Sequence, residues 1–79
     1  MKTTKEFNLE MFKNGAKAQT KLGNPVRFIA IANNGKLIVC IKPRWRMEEP
    51  AQYNLDGRKY AGTDTMYDLE MVEPYKIAA

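Results

Sequence analysis

The 79-residue chain has no histidine and no serine, and a single cysteine, Cys40. Without serine and histidine, neither a Ser-His-Asp triad nor a Cys-His pair can be assembled. One cysteine forms no internal disulfide, and a structural zinc site would lack its ligands. Cys40 lies in the apolar run "LIVCI" and reads as a structural thiol rather than a nucleophile. The glycine patterns of Walker and dinucleotide loops are missing as well. The acid pairs Glu48/Glu49 and Asp64/Asp68 have nothing to anchor a metal or to divide acid from base, so solvated loop carboxylates are the simpler reading. No enzyme, metal or cofactor is therefore expected. No apolar run has the length of a membrane span, and "MKTTKEFNLE" has no apolar stretch of the kind secretory signals carry. The expectation is a cytoplasmic protein with no membrane partner.

What is present suits one small domain covering residues 1–79, with residues 1–6 and 75–79 expected to fray. A core of this size is marginal, and self-association is the expected aid, giving a homo-oligomer. The net charge is +4 and unevenly spread. Residues 1–46 hold ten Lys/Arg against Glu6 and Glu10, a net +8, and residues 47–79 carry a net −4. The segregation fits either a basic face for phosphates or basic and acidic strands lying side by side.

The local pattern is mainly β, an α+β chain opening with a short helix. In "EFNLEMFKNG", Asn8 can cap the first turn, and Phe7 and Phe12 hold the two positions of a hydrophobic staple. Gly15 can take the left-handed stop. A helix this short must dock on a sheet. A short strand and a turn at "LGNP" follow. "VRFIAIA" and "KLIVCI" then flank Asn34-Gly35, which predicts a two-residue hairpin loop with Ala32 opposite Leu37 and Phe28 opposite Ile41. Both faces of that hairpin are apolar, so it should be covered on both sides. Asp56-Gly57 predicts a second such loop, with Tyr53 opposite Tyr60. "LEMV" reads as a last strand ended by Pro74. The expected architecture is a helix packed on a small, strongly curled antiparallel sheet or SH3-like barrel of five to six strands.

Between the two hairpins lies "KPRWRMEEP", residues 42–50, with the only tryptophan between two arginines. Guanidinium groups can grip carboxylate or phosphate in pairs, and an indole can anchor a protein partner or stack on a base. Either Trp45 faces a partner, or it folds back on the core and the arginines stay solvated. Arg27, Arg44, Trp45, Arg46 and Arg58 are the candidate contacts, with Tyr53 and Tyr60 as stacking platforms. A nucleic-acid-binding barrel using the same basic aromatic loop is the alternative function.

The runs "FNLEMFKNGAKAQT", "GNPVRF", "YNLDGR" and "YDLEM" together resemble a widespread set of small phage-encoded proteins, over Phe7 to Met71. In that set the early glycine turn is usually Asp-Gly-Arg; here it is Leu22-Gly23-Asn24-Pro25. The layout is also weakly similar to the phage anti-Thoeris nucleotide sponges. Their late Ser/Thr-x-x-Asp-Leu element matches Thr65-Met66-Tyr67-Asp68-Leu69, while Gln19-Thr20-Lys21 stands where they carry Arg-x-x-Trp. The resemblance implies a phage accessory protein of host takeover or counter-defence, binding a host protein or a small nucleotide signal. It adds Tyr67 and Asp68 to the candidate site. The rival reading of Asp68 is a turn cap.

Overall fold

Asn8 starts the helix as its chemistry dictates: its backbone is extended and its side chain accepts a hydrogen bond from Met11 N–H at 3.0 Å. In the computed structural model, which describes residues 3–76, this helix is α1, Leu9–Lys13. The staple forms, with the Phe7 and Phe12 rings edge-to-face at 5.4 Å between centroids. Phe12 also meets Phe28 edge-to-face at 5.8 Å, which docks the helix on the sheet.

The described residues form six antiparallel strands in one sheet. They are β1 (Thr3–Glu6), β2 (Ala18–Thr20), β3 (Pro25–Ile31), β4 (Leu37–Ile41), β5 (Glu49–Tyr53) and β6 (Leu69–Lys76), in the order β1-β6-β2-β3-β4-β5. The core holds Phe12, Ala18, Val26, Leu37, Val39, Tyr53, Leu69 and Met71. The expectation of a mainly β chain with one short helix holds.

Several local expectations are corrected. A strand precedes the helix: Thr3–Glu6 pairs with β6 as an edge strand. Likewise Tyr75 and Lys76 pair with Thr4 and Thr3; residues 1–2 and 77–79 lie outside the described residues. Pro74 does not end the last strand, which runs through it to Lys76. The missing N–H is tolerated because β2 registers only with Leu69–Met71, leaving Pro74 with β1 alone beside it.

Both hairpin tips depart from the expected two-residue loops in the same way. Among the described residues only glycines have positive φ, so neither Asn34 nor Asp56 adopts the left-handed conformation those loops need. Instead Gly35 N–H donates to Ala32 O and Ala32 N–H to Lys36 O, closing a three-residue loop ended by a left-handed glycine. Asn54 to Arg58 repeats the pattern. Asn34 Oδ1 accepts from Lys36 N–H and Asp56 Oδ1 from Arg58 N–H, both at 3.0 Å. The extra residue slips the first register by one, and a bulge at Ile29 slips it again, so Phe28 faces Val39 and Val26 faces Ile41. Two slips restore the face, and Val39 and Leu37 still point into the core. The other face of this hairpin is not covered as expected, since Ile29 and Ala30 are exposed.

The second tip does not extend into a hairpin. Tyr60 bridges to Thr63 rather than to Tyr53. The chain crosses instead to β6, where Leu69 N–H donates to Gly57 O. Gly57 lies against Phe7, close enough that an added Cβ would sit 2.7 Å from Phe7 Cγ. That contact ties the Asp-Gly tip to the entrance of α1.

Candidate interaction surface

β4 ends because Pro43 has no N–H to offer the ladder. The turn that follows is closed by Arg46 N–H on Pro43 O at 3.4 Å and by Lys42 Nζ on Arg46 O at 2.7 Å. Lys42 N–H also bonds Pro25 O, fastening the loop base to the start of β3. Arg27, on β3 opposite Cys40, reaches Glu48 with two nitrogens, Nε at 3.3 Å and Nη2 at 3.1 Å. Their hydrogen bonds and mutual attraction raise the Arg27 pKa and lower that of Glu48. Glu48 is thus occupied chiefly with Arg27, with a smaller attraction to Lys42 at the loop base.

Trp45 faces solvent. It is 89% exposed and Met47 is 85% exposed, while Arg44 lies over the indole at 5.7 Å. The loop therefore presents an uncovered tryptophan and methionine among Lys42, Arg44 and Arg46, all exposed.

The other candidates lie at the end of β5 (Tyr53) and in the segment after it, and no described hydrogen bond or ion pair joins them to this loop. Arg58 is held by Asp64 at 3.4 Å and Asp56 at 3.9 Å. Asp68 is only 3% exposed, and its two oxygens accept from Lys59 N–H, Thr65 N–H and the Thr65 hydroxyl. Burial alone would raise its pKa; those three hydrogen bonds outweigh it and hold the carboxyl below the usual range. Asp68 and Thr65 thus cap the turn before β6. Tyr67 and Tyr60 expose their rings. Tyr53 does not: it is 1% exposed, its hydroxyl donates to Tyr67 O at 2.6 Å, and the Lys59 ammonium lies 5.1 Å from its ring centre. Burial pushes its pKa up to about 12. A ring so enclosed is core, not a stacking platform.

Sequence reading missed a cleft of about 670 Å³ between the β1/β6 edge and the Asp56–Arg58 tip. Phe7 and Leu69 line it, with Glu6, Asp56, Asp64, Asp68 and Glu70 against Lys5, Lys21 and Arg58. Glu6 stands directly opposite Glu70 across the strands, a like-charge pair. No signal in the sequence could have found it, because it depends on the unforeseen strand β1. Among the described residues no group of acids, histidines or cysteines is arranged to hold a metal ion.

No family model, curated protein or solved structure matches this chain.

Proposed function

We propose that the chain acts by binding, without catalysis, and that the Lys42–Glu48 loop is its contact surface for a partner protein. The observation that carries this reading is Trp45, 89% exposed on a loop whose base is fastened to β3. Trp45 and Met47 stand exposed side by side among arginines, and tryptophan and arginine are the residues that dominate the energy of protein contacts. In the setting implied by the sequence resemblance, the protein is a small phage accessory factor of host takeover or counter-defence, working in the host cytoplasm on a host protein. The bond between Gly57 and Leu69 supports reading its sheet as curled in the SH3-like manner.

A small nucleotide signal is the less favoured target. The cleft, the natural place for one, carries five acids against three cations, which opposes phosphate. The nucleic-acid reading is favoured by one observation, the three exposed cations around Trp45. A fluorescent single-stranded oligonucleotide separates the two readings. Binding that is strong at low ionic strength and falls steeply with salt would replace the protein-partner reading; its absence leaves that reading standing.

A further inference from the structure

We infer that the Trp45 tip of one copy docks in the cleft of a second copy, so that the chain self-associates head to tail. The two surfaces are complementary in charge. The tip offers Lys42, Arg44 and Arg46, with Glu48 already taken by Arg27. The cleft has two more acids than cations. Among its described acids, Glu6 and Glu70 enter no ion pair and stand opposite each other across β1 and β6, with Glu70 Oε2 accepting from Gln19 Nε2 at 2.7 Å and Glu6 left without a side-chain partner. Like charges so placed repel, and a guanidinium arriving between them relieves the repulsion. The cleft is also suited in shape and lining. Its volume lies in the range of sites that enclose a ligand of indole size, and Phe7 and Leu69 supply the apolar wall.

The contact is heterologous. Tip and cleft share no residue: the tip joins β4 to β5, and the cleft lies between β1/β6 and the turn that follows β5. Trp45 is not in its own cleft, since it stands in solvent. Head-to-tail contacts build rings or open chains of subunits, and one free tip at the end of an open chain remains available to a different partner. The inference goes beyond the proposed function and fails separately from it: a strictly monomeric protein could still bind a partner through Trp45.

Sedimentation velocity tests it, with the single tryptophan as a built-in fluorescent reporter. The wild-type mass should grow with protein concentration and return to that of one chain at high salt, with Trp45 emission moving to shorter wavelength as the mass grows. Trp45→Ala removes the tip, and Glu6→Lys with Asp64→Lys removes the cleft charge; all three positions are exposed, so both variants keep the fold. Each variant alone should stay monomeric. Mixed, they should form a complex of two chains that grows no further, because each then supplies the surface the other has lost. A wild-type protein monomeric at every concentration overturns the inference. So does a cleft variant that still associates alone, which would mean a tip-to-tip contact, or a mixture that remains monomeric.

Discussion

Substituting alanine for glycine at the two hairpin tips separates backbone strain from packing. Gly35 and Gly57 have nearly the same positive φ, +82° and +88°, in the same kind of loop. An alanine Cβ at Gly35 meets nothing within 4 Å, whereas at Gly57 it lands 2.7 Å from Phe7 Cγ and 2.8 Å from Phe7 Cβ. Phe7 Cβ is fixed to the main chain, so rotating the ring cannot relieve the overlap. Gly35→Ala should cost only the left-handed conformation, about 1–2 kcal/mol. Gly57→Ala adds overpacking, about 1–3 kcal/mol more. For a domain of this size each kcal/mol lowers Tm by roughly 4–8 °C, so the two variants should be well resolved. Thermal melts followed by circular dichroism, with urea titrations for free energies, measure both. The extra cost at Gly57 should shrink when Phe7→Ala is present, as coupled neighbours require. Equal destabilisation at both glycines, or additivity with Phe7→Ala, would refute the docking of the second tip on α1.

The remaining predictions concern individual side chains. Trp45→Ala should leave stability within about 0.5 kcal/mol of wild type in a urea titration, as for a surface residue. Tyr53→Phe should cost about 1 kcal/mol through its lost bond to Tyr67 O. The folded-state Tyr53 pKa of about 12 exceeds its ordinary value of 10.0, so the unfolded chain ionises first. Stability in the wild type should therefore fall as pH rises from 10 toward 12, and less so in Tyr53→Phe, as alkaline melts would show. Asp68 is the reverse case. Its lowered pKa means its contribution is present above the ordinary carboxylate value and lost as pH falls through the folded-state value. Asp68→Asn should remove that part of the acid sensitivity and, by turning an amide N–H toward Thr65 N–H, cost about 1–3 kcal/mol at neutral pH.

The helix was legible in the sequence because its signals are local: Asn8, the Phe7–Phe12 staple and the stop at Gly15 act within a few residues. The Asx-Gly pairs announced turns but not their length. Two-residue and three-residue loops share the same dipeptide, and the choice depends on whether the Asx residue takes positive φ. The register followed the loop and was misread with it, although the second slip at Ile29 returned the core residues to the expected face. β1 was hidden because "TTKE" has no apolar residue to show alternation; its pairing is secured by a distant strand and by the Tyr75 hydroxyl on Glu6 O. In the Lys42–Glu48 loop, composition picked out Trp45 and its arginines. The contacts at the loop base, Arg27 with Glu48 and Lys42 N–H with Pro25 O, join residues far apart in sequence and left no local signal. The buried state of Tyr53 likewise came from the unforeseen path of the segment after β5.

The most direct test of the central claim is a paired affinity capture from host lysate with the wild-type chain and Trp45→Ala, beside melting curves of both. A protein should be retained by the wild type and lost from Trp45→Ala, with the two melting temperatures alike. The same protein held equally by both, or a Trp45→Ala chain that melts well below the wild type, would contradict it.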